Sequence, residues 1–156
     1  MQIKITYGTG QGLTNLSSFD NALYDAGIAN YNLIKLSSVI PKNSKVITKK
    51  LDWNNKEYGN KLYVVLSRCT ESTMGKEAWA GLGWISEDHT GKGLFVEHKG
   101  SSKKEVKELI NKSLESIKKY RKEEHGKVNI KTRGIKCKDK PVCSIVCAVY
   151  KSEGWK

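Results

Sequence analysis

The stretch Asn32-Leu33-Ile34-Lys35-Leu36-Ser37-Ser38-Val39-Ile40-Pro41 governs how the rest of this chain is read. Residues 28–37 read as an apolar strand, and the paired serines interrupt it shortly before Pro41. Two meanings compete. The serines are a polar strand end, or they are a reactive pair. A hydroxyl next to a peptide carbonyl can attack that carbonyl when the backbone is strained.

Working outward, residues 2–7 alternate as a strand, and Gly8-Thr9-Gly10-Gln11-Gly12 follows as a loop. A short helix is predicted around Ser18–Asp25, capped by Ser17 or Ser18 and ended by Gly27. Lys42–Lys61 is polar and loop-rich. Leu62–Leu66 and Ala78–Ile85 read as strands, and Gly93–His98 forms a hairpin with the latter across the 88–93 turn. A long helix opens with a Ser102/Glu105 capping box. Val106, Leu109, Ile110, Leu114, Ile117 and Tyr120 share its buried face, and Gly126 ends it. Residues 128–136 and 142–150 close the chain as strands. The sum is a strand-rich α/β chain, with mostly antiparallel neighbours and one dominant helix over a sheet.

The 156 residues suit a single domain, 1–156, with a core of its own. No apolar run reaches the roughly 20 residues needed to span a bilayer. The N-terminus has no long apolar stretch of signal-peptide type, so a cytoplasmic protein with reduced cysteines is expected. Cys69, Cys137, Cys143 and Cys147 lack the paired spacing of a zinc ribbon, and Cys143 and Cys147 alternate with Ile145 as small buried hydrophobes. His89, His98 and His125 share no ligand spacing, so no metal is expected.

The net charge of +12 permits contact with nucleic acid or anionic membranes but demands neither. A basic nucleic-acid-binding module is the alternative reading that charge alone supports. Against it, the long helix interleaves its lysines with glutamates, and no aromatics on that face could stack bases. The Gly8/Gly10/Gly12 run matches neither dinucleotide nor P-loop spacing. Glu97 ends the apolar run Leu94-Phe95-Val96. It is either at a solvent edge or in a pocket, where its raised pKa would let it donate a proton near neutral pH.

The reactive meaning of the serines can be written out. Ser38 Oγ attacks the Ser37 carbonyl to give an ester. Elimination cleaves the ester and leaves dehydroalanine, which loses ammonia. A pyruvoyl group then caps the new N-terminus and can serve as an electron sink.

Asn15-Leu16-Ser17-Ser18-Phe19-Asp20-Asn21-Ala22-Leu23, Ala26-Gly27-Ile28 and the opening stretch together resemble the pyruvoyl-dependent arginine decarboxylases. Gly93–Glu97 with Gly100 and Cys147–Tyr150 extend the resemblance over the whole chain. It implies a four-layer αββα sandwich of mainly antiparallel sheets, assembled as a trimer with active sites between protomers. It implies cleavage between Ser37 and Ser38 into a β chain, 1–37, and an α chain, 38–156, with a covalent pyruvoyl group derived from Ser38. Asn32 matches the residue that assists cleavage, Asp20 the carboxylate that receives the substrate guanidinium, and Glu97 the proton donor after decarboxylation. The implied reaction converts L-arginine to agmatine and carbon dioxide through a Schiff base, in polyamine biosynthesis or acid resistance. Another amino acid remains an alternative substrate, because Thr48–Lys61 and Glu71–Glu77 follow the family less clearly.

Overall fold

The structure is a computed structural model that describes residues 1–52 and 54–156. Along the chain run β1 (Gln2–Gln11), α1 (Asn15–Asp25), β2 (Asn32–Lys35), β3 (Val39–Ile40), β4 (Lys45–Thr48), β5 (Lys61–Glu71), β6 (Glu77–Ser86), β7 (Gly93–Gly100), α2 (Lys103–Tyr120), β8 (Asn129–Lys136) and β9 (Val142–Glu153). One sheet has the order β2-β5-β9-β1-β4 and the other β3-β7-β6-β8. The β1/β4 and β2/β5 pairs are parallel, and every other pair is antiparallel.

Three apolar layers hold the elements together. Ile3, Ile5, Val65, Leu82, Phe95 and Val146 interdigitate between the sheets. Ala22, Leu23 and Ala26 seat α1 on the outer face of the first sheet, over Val64, Cys143 and Ile145. Val106, Ile110 and Leu114 seat α2 on the outer face of the second, over Ile85, Leu94 and Val96. The layers therefore run αββα. Fully burying each large aliphatic side chain stabilises the fold by roughly 1.5–3 kcal/mol. The central strand β9 is buried on both faces from Val142 to Val149, which is why that run is apolar except for Ser144, whose hydroxyl donates to the Ala78 carbonyl.

Several expectations change. The glycine run is no loop: Gly8 and Gly10 lie inside β1, facing α1. A Cβ on Gly10 would stand 2.3 Å from the Ala22 nitrogen and one on Gly8 2.4 Å from the Ala22 oxygen, so these positions admit only hydrogen. Helix α1 starts earlier than predicted. Thr14, and not Ser17 or Ser18, is its N-cap, in a reciprocal box with Ser17 at the third helical position. Gly27 does end it, at φ +78°.

The strand predicted over 28–37 shortens to Asn32–Lys35 because residues 29–31 turn the chain into β2. Lys45–Thr48, read as loop, is an edge strand added parallel to β1. Ser102 caps α2 by accepting from the Glu105 N–H, but the Glu105 carboxylate reaches back to Ser101 instead of Ser102. The helix stops at Tyr120, with Arg121 extended as its C-cap, so Gly126 does not end it. Its place instead is a close approach: a Cβ on Gly126 would lie 2.1 Å from the Ser86 carbonyl.

The opening stretch carries the chain from one sheet to the other. Strand β2 pairs with Lys61–Val64 in the first sheet, and the Leu36 N–H still donates to the Val64 carbonyl at 2.8 Å. Strand β3 pairs with Leu94 and Gly93 in the second, and the Phe95 N–H donates to the Ser38 carbonyl at 2.8 Å. The crossing falls on Ser37 and Ser38.

Candidate active site

Ser38 holds φ +74°, in the left-handed region. For a residue with a Cβ this conformation costs roughly 1–2 kcal/mol. Hydrogen bonds on either side keep it there. Its carbonyl is fixed by Phe95, and its Oγ–H donates to Glu97 Oε1 at 2.6 Å. The acceptor is a carboxylate, so the bond is of the strong, charge-assisted kind. Residues 59 apart in sequence meet because β3 pairs antiparallel with the start of β7. Glu97 lies two residues beyond Phe95, where β7 has run past its partner. In this chain Glu97 is exposed, at an edge and not in a closed pocket.

Tyr150 completes the crossing from the other side. Its phenol donates to the Val39 carbonyl at 2.8 Å, and its ring meets Phe95 edge-on with centroids 6.2 Å apart. Burial, and then the negative charge of Glu97, raise the phenol well above its ordinary pKa, so it stays a donor. The sequence reading put Tyr150 in the closing strand and gave it no role. A tyrosine at the solvent end of an otherwise apolar central strand was the available signal.

Beside Glu97 opens a groove of about 510 Å³, lined by Lys35, Leu66, Ser67, Arg68, Glu97, His98 and Lys99. Arg68 is held there with its guanidinium 3.7 Å from the centre of the Phe19 ring. His98 Nε2 shares a 2.6 Å hydrogen bond with Ser113 Oγ of α2, and burial lowers its pKa against a smaller upward pull from Glu97.

The structure brings Ser37, Ser38 and Glu97 together; Asn32 and Asp20 stand apart from them. Asn32 begins β2, with its main-chain N–H on the Asn60 carbonyl and its Nδ2 on the Gly59 carbonyl, each at 2.8 Å. Roughly 10 Å of strand separates it from Lys35, before the serines begin. Asp20 lies on the solvent face of α1, and its carboxylate makes no hydrogen bond or ion pair among the described residues. Leu16, 72% exposed, precedes it by one turn, and Val39, 54% exposed, flanks the serines.

Among the described residues no group of histidine, cysteine and acidic side chains could hold a metal ion, and no helix is long and apolar enough to cross a membrane. All four cysteines are free thiols, and burial pushes Cys143 up to about 12.

The family model for pyruvoyl-dependent arginine decarboxylase (PvlArgDC) matches residues 2–154. A pyruvoyl-dependent arginine decarboxylase of Thermococcus kodakarensis is 35% identical over 147 residues, covering 90% of this chain and 88% of that one. Its counterpart in Pyrococcus abyssi is 34% identical over 146 residues, covering 89% and 87%. That of Halobacterium salinarum is 40% identical over 96 residues, covering 62% and 59%. The strained serine and its carboxylate partner thus lie in a chain that belongs, over nearly its whole length, to the pyruvoyl-dependent arginine decarboxylase family.

Proposed function

We propose that this chain cleaves itself between Ser37 and Ser38, and that the processed enzyme decarboxylates L-arginine to agmatine. The observation that carries the reading is the left-handed Ser38, its hydroxyl on Glu97, where the chain passes from β2 of one sheet to β3 of the other.

The residues fit a serine-derived pyruvoyl group. Ser38 Oγ adds to the Ser37 carbonyl carbon, the peptide C–N bond breaks, and an ester with a free Ser38 amine results. Loss of the Ser38 Cα proton expels the Ser37 carboxylate and leaves dehydroalanine at the head of 38–156. Water then replaces the nitrogen, which departs as ammonia. Release of the left-handed strain favours the bond-breaking direction. Asn32 acts at a distance: by tying β2 to the Gly59–Asn60 turn, it holds one end of the crossing segment while Phe95 and Tyr150 hold the other.

Once formed, the pyruvoyl group supplies the electron sink for loss of carbon dioxide. Glu97, beside the former serine, is positioned to hand a proton to the substrate carbon that carbon dioxide leaves. Asp20 receives the guanidinium in a bidentate, charge-assisted pair. Asp20 faces outward on α1, so it serves the site of a neighbouring protomer. The exposed Leu16 on its face and the exposed Val39 beside the serines support a trimer closed over these surfaces. The net charge of +12 opposes a cationic substrate at long range, but salt screens that field beyond roughly 8–10 Å, leaving Glu97 and Asp20 to act locally. Free thiols suit the reducing cytoplasm.

Denaturing mass analysis tests the reading. The purified protein should give two chains, 1–37 and 38–156, the second blocked by pyruvoyl, and should release carbon dioxide from arginine. Ser38→Ala should remain one 17.5 kDa chain. A wild-type chain that stays whole yet releases carbon dioxide from arginine would refute it.

A further inference from the structure

Self-cleavage creates a charge that the whole chain lacks. When the Ser37–Ser38 bond opens, Ser37 ends in a carboxylate directly in front of the group an amino acid must reach. That carboxylate has to move aside, and its reach is short. Leu36 stays tied to Val64 through its N–H, so only Ser37 can swing, over about one Cα–Cα step of 3.8 Å.

Next to this pivot lies the groove that holds Glu97. It exists because both flanking strands outrun their partners. Strand β2 covers β5 only as far as Val64, and β3 covers β7 only from Gly93 to Leu94. Lys35, Arg68 and Lys99 line the resulting gap. None of the three has a carboxylate within ion-pair distance among the described residues, whereas Lys50, Lys61, Lys92 and Lys151 each do. Arg68 is also pre-set by its stack on Phe19, so little rotamer freedom is left to lose on pairing. Three unpaired cations around one gap repel each other and attract an anion. The one acid in the groove, Glu97, would repel a second carboxylate and direct it to the Arg68 side.

We infer that the groove is the receptor for the Ser37 carboxylate released by self-cleavage, with Arg68 as its principal partner and Lys35 and Lys99 alongside. The inference rests on the processing step proposed above. Docking would clear Ser38 for substrate, hold the carboxylate away from the carbon it left, and neutralise cations that otherwise face a cationic substrate. A substrate α-carboxylate is the rival occupant of the same chemistry.

Protein labelled with [1-¹³C]serine separates the two. After processing, Ser37 is the only serine with a free carboxylate, so one labelled resonance titrates. In the wild type it should titrate below the ordinary α-carboxyl range of about 3.3–3.7. It should return to that range in Arg68→Gln/Lys99→Gln. A crystal structure of the processed wild type should put a Ser37 carboxylate oxygen within about 4 Å of the Arg68 guanidinium. An unchanged titration in the double variant, or a Ser37 carboxylate turned to open solvent, overturns the inference. So does a variant whose KM for arginine rises tenfold or more while the Ser37 titration stays put, because the groove then serves the substrate. A wild-type chain that never cleaves would sink the processing reading itself, a result distinct from each of these.

Discussion

Gly10→Ala is the sharpest probe of how α1 is mounted. A Cβ on Gly10 would stand 2.3 Å from the Ala22 nitrogen, 2.6 Å from the Ser18 oxygen and 2.7 Å from the Asn21 carbonyl carbon. All three are helix backbone, so no side-chain rotation relieves the clash. The helix must retreat by roughly 1 Å, a gap that forfeits about a quarter to a half of the dispersion attraction across the interface it leaves. That interface includes Ala22, Leu23 and Ala26 over Ile145 and Cys147. Overpacking of this kind costs about 1–3 kcal/mol, and its upper end is expected here. For a chain of this size each kcal/mol moves Tm by about 2–4 °C, so a fall of roughly 6–12 °C should appear in thermal unfolding followed by circular dichroism. Gly154→Ala is the control, since the nearest atom to its added Cβ is Asn60 Oδ1 at 4.0 Å. It should move Tm by less than about 1 °C. Because Asp20 rides on α1, Gly10→Ala should also raise KM for arginine while self-cleavage, on the far side of the sheet, proceeds. A Gly10→Ala protein with wild-type Tm would refute the packing argument and return the glycine run to the status of a tolerant loop.

Glu97→Gln keeps the size of the side chain but removes its ionisable carboxyl group, and kcat should fall by about 10²–10⁴, the usual worth of a positioned acid. A kcat within a factor of two of wild type, in fully cleaved protein, would remove Glu97 from the proton-donor role. Asp20→Asn should raise KM for arginine with little change for an uncharged analogue of similar length, and equal effects on both would show that the carboxylate does not read the guanidinium. His98 gives a pH test. Burial lowers its pKa, so the folded state favours the neutral ring. Its contribution is complete above the unfolded value of about 6.5 and is lost as pH falls below it toward the folded value. Ser113, which shares a hydrogen bond with the ring, and Glu97, whose charge opposes the shift, stay in both proteins compared. Between pH 7 and pH 5 the wild-type Tm should therefore drop further than that of His98→Gln, and parallel curves would contradict the assignment.

What the sequence disclosed and what it hid divide along sequence distance. Helix α2 was legible because Val106, Ile110 and Leu114 repeat within a few residues and Ser102 caps them locally. Strands β5, β6, β7 and β9 were legible for the same reason, each declaring its own burial pattern. The glycine run was misread because what forbids its side chains is a helix crossing above β1, and no local rule contains that contact. Strand β4 escaped because a four-residue parallel edge strand has almost no pattern of its own. The Thr14 cap was missed because Ser17 and Ser18, equally good cap residues, lie just after it.

The site follows the same division, and the reason bears on how it works. Ser37 and Ser38 are visible as a pair, but their strain is not, since φ +74° at Ser38 arises only when two different sheets pull on the segments either side of it. Glu97 was an ambiguous carboxylate until the β3/β7 register put it 2.6 Å from Ser38 Oγ. Asn32 and Asp20 show the opposite case. Resemblance singled them out, yet within one chain the first braces β2 against Gly59 and the second points outward from α1. A single fold therefore supplies the strained bond and its carboxylate, while the groove between the unpaired edges of β5 and β7 stays open to solvent. An uncut chain strains its own bond, whereas in the function proposed above the guanidinium is read by Asp20 on the α1 of a neighbouring protomer. On this account cleavage should be first order in single chains and indifferent to dilution, whereas turnover should fall on dilution below the dissociation constant of the assembly. Cleavage and turnover falling together on dilution would mean that the strain at Ser38 is itself imposed by a neighbour.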